Sequence, residues 1–114
     1  MKPLVLTVWI AVPVCAGSLA VNVIYGGGKP EKNVVTEYET GMNALDVLKR
    51  VSRVETSQTG EFVFVRSIDG VRSVIGKYGW FYLIDGQPPG VIAQRYRLEN
   101  AHTMTWYYGV EACY

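Results

Sequence analysis

The sequence has 114 residues, which is enough for one domain with one hydrophobic core and too few for two. Its 11 Lys and Arg residues nearly balance its 10 Asp and Glu residues. Because nucleic acids and acidic membrane surfaces select for clustered positive charge, this balance argues against either of them as the main partner.

The first twenty residues are typical of an export signal. Lys2 precedes an apolar run over residues 3–14, and small residues ending at Ala20 suit a signal peptidase. We therefore predict a signal peptide over residues 1–20, cleavage after Ala20, and a mature domain over residues 21–114. The protein is then secreted or otherwise extracytoplasmic.

Two alternatives stay open for this segment. It is close to the length that spans a bilayer, so it could remain as an uncleaved anchor that holds the domain at the cell surface. Cys15 could also serve as a lipoprotein cysteine, although Val14 is larger than the small residue usual before it. After cleavage Cys113 is the one remaining cysteine, so an internal disulfide framework is excluded, and whether Cys113 is bonded stays open.

The first half of the domain contains two predicted strands and one helix. VNVIY is rich in β-branched residues and is ended by Gly26–Gly28, and VVTEYE predicts a second strand. The helix follows in NALDVLKRVSRV, with Asn43 as its N-cap and Asp46 in the first turn, where a negative charge suits the helix dipole. Apolar residues recur at helical spacing, so this helix needs a sheet to cover.

Strand-forming residues dominate the second half. EFVFVRSIDG, GWFYLIDG and TMTWYYGVE predict three strands, and the first two end in Asp-Gly turns. ETSQTG has the composition of a loop, VRSVIGK fits a loop or a short helical turn, and VIAQRYRL an extended piece or another strand. This order predicts an α+β fold, namely a β-grasp, ubiquitin-like sheet of about five strands with one helix packed on one face.

The strand that contains Trp80 and the turn after it are the candidate rim of a binding site. Alternation along the strand places Trp80, Tyr82 and Ile84 on one face and Phe81 and Leu83 on the other. Only one face can pack under the helix, so the aromatic side chains of the other need a loop or a ligand to cover them. A single such side chain is more often part of the core, whereas a combined patch marks a binding site.

Residues for catalysis or metal binding are sparse. His102 is the only histidine, and neither a cysteine nor a second histidine is near it in the sequence. Metal sites need several converging ligands, and a nucleophile needs a base beside it. Asp69 and Asp85 each precede a glycine and predict turns, and the glycines at 26–28 lack the spacing of a phosphate loop. We expect neither an enzyme nor a metal site.

Four stretches together resemble the C-terminal β domain of transcobalamin and intrinsic factor, and equally its stand-alone prokaryotic relatives of largely unknown function. They are GMNALDVLKR, GEFVFVRSIDGV, YGWFYLIDGQPPGVIAQRYRL and MTWYYG. The resemblance runs from about Val21 to Gly109. Its most specific part is an ordered set of residues: Ser67, Ile68, Gly70, Tyr78, Trp80, Gly86, Pro88, Tyr96 and Trp106.

The resemblance implies an exported protein with a ubiquitin-like fold and cobalamin, or another corrinoid, as the candidate ligand. In vertebrate members this domain closes over one face of cobalamin, and a larger helical domain covers the other. Since these 114 residues do not include that helical domain, a protein partner or a second copy would supply the missing half of the site. The implied ligand-binding residues are Trp80, Tyr82, Gly86, Gln87, Pro88, Pro89 and Tyr96.

A function of another class remains open. The domain could be a protein-interaction or surface-display module that binds through an exposed sheet edge or an aromatic patch and takes no small-molecule ligand.

Overall fold

The computed structural model describes residues 15–110, which form seven strands, one α-helix and one 3-10 turn. The strands are β1 (Cys15–Ile24), β2 (Lys32–Glu39), β3 (Val54–Thr59), β4 (Phe62–Ile68), β5 (Val71–Arg72), β6 (Tyr78–Ile84) and β7 (Thr103–Val110). The helix α1 spans Ala44–Val51, and the 3-10 turn spans Ala93–Arg95. The fold is therefore mixed α and β, and mostly strand.

Four strands form the larger sheet, in the order β2-β1-β7-β6. β1 pairs antiparallel with β2 and parallel with β7, and β7 pairs antiparallel with β6. Gly26, Gly27 and Gly28 all have positive φ in the connection from β1 to β2, a conformation that glycine adopts without steric cost. Because β6 stands last in the order β2-β1-β7-β6, it is an edge strand of this sheet.

The smaller sheet has the order β3-β4-β5 and is joined to the larger one by side chains of β6 and β7. The indole Nε1 of Trp80 donates to the carbonyl of Val71 at 2.9 Å. The hydroxyl of Tyr108 donates to the carbonyl of Arg72 at 2.7 Å. Because β5 is only two residues long, these two hydrogen bonds hold it against the larger sheet.

The helix begins at the residue that the sequence predicts. The Asn43 side chain accepts from the Asp46 N–H at 2.8 Å, and the Asp46 carboxylate accepts from the Asn43 N–H at 3.2 Å. This reciprocal capping box satisfies two N–H groups that the first turn leaves free. One face of the helix is buried, with Ala44, Leu45, Val47 and Leu48, and Lys49 and Arg50 lie in the last turn.

One hydrophobic core lies between the helix and the larger sheet. The buried helix residues share it with residues of two strands, Leu19, Val21 and Val23 of β1 and Met104 and Trp106 of β7. Each of these five strand residues is at most 2% exposed. Alternation along β1 and β7 sends these side chains to one face of the sheet, which we call the core face. The opposite, outer face carries no helix of the described residues.

The structure has more sheet than the sequence predicts. We expected one sheet of about five strands, and residues 15–110 contain two sheets with seven strands. The segment ETSQTG, which has loop composition, forms most of β3, because pairing with β4 satisfies its backbone and outweighs local preference. VRSVIGK begins with β5, and VIAQRYRL contains the 3-10 turn in place of a strand.

The predicted signal peptide lies partly outside the described residues. Nothing is described for residues 1–14, whereas residues 15–20 belong to β1. Along the described part of the chain, residues 15–110, no helix is both long enough and apolar enough to span a membrane.

Candidate functional site

β6 presents three side chains to the core face, as alternation predicts. Trp80, Tyr82 and Ile84 lie opposite Tyr108, Trp106 and Met104 of β7. Ile84 is 7% exposed, and Trp80 and Tyr82 are half-buried at the rim of the core. The two aromatic residues that the sequence places in a binding site therefore also support the fold.

Tyr82 is held by two ring contacts and one hydrogen bond. Its ring stacks on that of Trp106, with the ring centroids 4.9 Å apart. It also makes a T-shaped contact with the ring of Tyr96, with the centroids 6.4 Å apart. Its hydroxyl donates to the carbonyl of Val91. Burial, together with the neighbouring Tyr96, raises the pKa of Tyr82 to about 12, so this hydroxyl remains a neutral donor at physiological pH.

Trp80 connects three parts of the structure. Beyond its hydrogen bond to β5, its ring makes a T-shaped contact with Tyr25 and a tilted contact with Tyr108. The ring centroids are 6.1 Å and 5.2 Å apart, respectively. The rest of the Trp80 side chain lines cavities beside β6. Replacing Trp80 would therefore disturb the fold as well as any site.

The turn after β6 is closed by backbone and side-chain hydrogen bonds. Asp85 and Gly86 have φ of 50° and 81°, and Ile84 and Gln87 exchange two backbone hydrogen bonds across them. The Asp85 carboxylate accepts from the N–H groups of His102 and Thr103, both at 2.9 Å. These backbone hydrogen bonds, first from Thr103 and then from His102, lower the pKa of Asp85. Asp85 thus fixes the turn to the start of β7.

Beside β6 lies a cavity of about 330 Å³, which we call the edge groove. Its wall contains four of the predicted site residues, Trp80, Tyr82, Pro88 and Pro89. Gly86 and Gln87 lie outside it, on the exposed tip of the turn. Tyr96 is also outside, behind Tyr82. The structure therefore brings four of the seven predicted residues together and places the other three around them.

Further residues of the edge groove were not singled out from the sequence. They are Phe81, Gly90, Val91, Ile92 and Tyr107. Phe81 and Tyr107 stack on the outer face with centroids 5.5 Å apart, and both are half-buried. Alternation puts Phe81 on the face of its strand opposite Trp80, but the sequence shows neither the pairing of β6 with β7 nor which sheet face the helix covers.

A smaller, inner pocket of about 150 Å³ lies on the other side of Trp80 and Tyr82. It is lined by Val63, Phe64, Val65, Trp80, Tyr82, Ile92, Ala93 and Trp106. Trp106 is 2% exposed, and its indole Nε1 finds no acceptor within the described residues. A buried N–H of this kind is satisfied by an ordered water or by an acceptor atom of a ligand.

The open edge of β6 is short and well defined. Tyr78 exchanges backbone hydrogen bonds with Val74, and Ile84 does so with Gln87, both on the side away from β7. Alternation then directs the N–H and C=O groups of Trp80 and Tyr82 to that same side. Within residues 15–110 no strand pairs with β6 there. The N–H and C=O groups of these two residues therefore point to the open side of β6, away from β7.

Metal-binding residues do not cluster in the part of the chain that the structure describes. No group of three or more His, Cys, Asp or Glu side chains is close enough to hold an ion among residues 15–110. His102 is exposed, and its backbone N–H is bound to Asp85.

Among the solved structures that match this fold are haptocorrin and a bacterial protein. Haptocorrin in complex with Cbi matches 85% of this chain with a TM-score of 0.68 and 13% identity. This chain spans only 26% of the haptocorrin chain. A candidate metal-binding protein from Ruminococcus gnavus ATCC 29149 matches 83% of this chain and 98% of its own length, with a TM-score of 0.60 and 17% identity. At these identities the likeness concerns the fold.

The haptocorrin match supports the resemblance to the transcobalamin group at the level of the fold. A comparison with curated proteins finds no match. Residues 41–110, more than half of the chain, match the family described as a domain of unknown function, DUF4430. The chain therefore belongs to the DUF4430 family.

Proposed function

We propose that this protein is an extracytoplasmic ligand-binding module and that its ligand is a corrinoid such as cobalamin. The observation that carries the proposal is the edge groove, which lies beside an open strand edge in a fold shared with the corrinoid-binding haptocorrin. The β-grasp likeness and the export of the chain are parts of the same proposal.

The chemistry of the groove suits a corrinoid. This ligand is a broad, partly apolar ring fringed with amide groups. Phe81 and Tyr107 offer it a half-buried pair of stacked aromatic rings, and Pro88 and Pro89 limit the entropy lost when the loop contacts it. The outward N–H and C=O groups of Trp80 and Tyr82 can meet its amides.

One module supplies one wall of such a site. Small-molecule sites commonly bury most of the ligand surface, whereas the edge groove is open and holds about 330 Å³. We expect weak binding by the isolated chain and tighter binding when a protein partner or a second copy covers the other side of the ring.

The test is a titration of the purified chain with cyanocobalamin and aquocobalamin, followed by visible absorbance and by calorimetry. We expect a saturable heat signal with both ligands and a spectral change on burial of the corrin ring. Absence of binding up to millimolar ligand, which is a free energy weaker than about −4 kcal/mol, would contradict the proposal for the isolated chain.

The open edge of β6 favours a second candidate, a protein-interaction module. An extended segment of a partner could add to β6 at Trp80 and Tyr82, between the turns that close at Val74 and Gln87. The first partner to test is a second copy of the chain. Strand addition predicts fast hydrogen–deuterium exchange of the Trp80 and Tyr82 backbone amides in dilute protein. It also predicts that these amides become protected at the concentrations where sedimentation shows self-association. If the exchange rates of these amides stayed the same when the chain self-associates, β6 would not be the edge that binds the partner.

A further inference from the structure

β1 crosses the boundary that the sequence predicts between signal peptide and mature domain. Leu19 of β1 is 0% exposed in the core and pairs with Thr36 of β2. The Ala20 N–H donates to the carbonyl of His102 at 3.0 Å, next to β7. Cleavage after Ala20 would remove Leu19 from the core and would leave β2 from Val35 onward without its strand partner.

Gly17 is also part of the packed structure. It pairs with Tyr38, which is 2% exposed, and a Cβ placed on Gly17 would lie 3.1 Å from the Tyr38 hydroxyl oxygen. The Tyr38 ring therefore covers the Gly17 backbone so closely that a side chain there would displace it. Removal of Gly17 would expose one face of this buried ring.

The regular part of β1 starts at Gly17. The pairing of β1 with β2 shifts register between Cys15 and Gly17 and is continuous from Gly17 to Val23. Directly before Gly17 the sequence reads Val14-Cys15-Ala16, so a small residue stands at the position that signal peptidase reads last. The small residue Ala16 thus stands directly before the regular part of the β1 ladder.

We infer that the export signal is removed between Ala16 and Gly17, and that Gly17 is the first residue of the mature domain. This inference rests on the proposed export of the chain. The peptidase hydrolyses the Ala16–Gly17 peptide bond with one water, which leaves a carboxylate on Ala16 and an ammonium group on Gly17. The mature chain then keeps Leu19 in the core and the whole regular ladder of β1.

The direct test is the mass of the exported protein. The full chain is produced in a bacterium with a general export pathway, and the extracytoplasmic fraction is analysed by intact-mass spectrometry. The expected mass corresponds to a chain that begins at Gly17. A chain that begins at Val21 overturns the inferred position while the export proposal survives. A chain that is exported but uncleaved, or is retained in the cytoplasm, overturns the inference, and retention also contradicts export.

Two matched substitutions locate the cleavage further. Ala16→Leu places a large residue before the inferred cleavage point and is expected to abolish processing, so the precursor accumulates. Ala20→Leu makes the same change at the rival point, on the outer face of β1, and is expected to leave processing intact. Blocked processing in Ala20→Leu and normal processing in Ala16→Leu would overturn the inference.

A stability comparison tests the structural half of the inference without any export step. Chains that begin at Gly17 and at Val21 are purified, and their thermal unfolding is followed by circular dichroism. The chain from Gly17 is expected to unfold in one cooperative transition. The chain from Val21 should lose that transition or melt at least about 10 °C lower, because Leu19 and half of the β1 ladder are missing. Equal melting temperatures would overturn the inference.

Discussion

At the scale of single residues, Asp69 carries the clearest electrostatic role outside the groove. Its carboxylate accepts hydrogen bonds from the Tyr25 hydroxyl and from the Arg53 N–H at 2.9 Å, and it pairs with the Lys32 ammonium at 2.9 Å. Partial burial alone would raise the pKa of Asp69, but the bonds from Tyr25, Lys32 and Arg53 outweigh it and lower the pKa to about 2. The same contact acts on Tyr25, whose pKa is raised by burial and then by Asp69.

This arrangement predicts a pH-dependent loss of stability. The folded pKa of Asp69 lies below the unfolded value of about 3.9, so its stabilisation is present above pH 4 and is lost as the pH falls towards 2. Asp69→Asn should lower the free energy of unfolding by about 1–2 kcal/mol at pH 7 and by much less at pH 2. Urea unfolding at both values measures this difference.

Glu61→Gln is the control for Asp69→Asn. The Glu61 side chain is 86% exposed and pairs with Arg95 only at 3.5 Å, so its neutralisation should change stability little at either pH. If Asp69→Asn lost the same stability at pH 2 as at pH 7, the proposed electrostatic origin would be wrong.

At the scale of elements, the N-cap of α1 is the contact whose cost can be stated most directly. Asn43→Ala removes the acceptor for the Asp46 N–H and should lower the free energy of unfolding by about 1 kcal/mol. Asn33→Ala, at an exposed position of β2, is the matched control and should change it by less than about 0.5 kcal/mol. Equal effects of the two substitutions in urea unfolding would show that the capping box contributes nothing.

The elements also show what the sequence can predict. The helix was predictable because its cap, its first-turn carboxylate and its apolar stripe are all local signals. β3 was missed because Thr, Ser and Gln in ETSQTG form a strand only when β4 is beside them. The early start of β1 was missed because the small and apolar residues 15–20 suit both the end of a signal peptide and a strand whose Leu19 lies in the core.

At the scale of the whole molecule, the candidate site depends on how the two sheets meet. The sequence located the turn and the strand, and Trp80, Tyr82, Pro88 and Pro89 do line one groove. It did not select Phe81 and Tyr107, since only the position of the helix decides which face of the larger sheet stays open. The second sheet, which places Val63–Val65 beside Trp80, was not predicted, so the inner pocket was not either.

The position of the site can be tested with a matched pair on one sheet face. Phe81→Ala removes a ring from the edge groove without touching the hydrogen bonds of Trp80 and Tyr82. Val35→Ala shortens a side chain that is 72% exposed on β2, at the opposite edge of the same sheet. Both variants are expected to keep the wild-type circular dichroism spectrum, so changes in affinity can be read as contacts with the ligand.

The measurement that tests the central claim most directly is the Kd for cyanocobalamin of the wild type and of these two variants, by calorimetry. We expect Phe81→Ala to weaken binding by at least about tenfold, or 1.4 kcal/mol, and Val35→Ala to leave the Kd unchanged. If Phe81→Ala bound as tightly as the wild type, or if no variant and no wild-type chain bound at all, the edge groove would not be the corrinoid site.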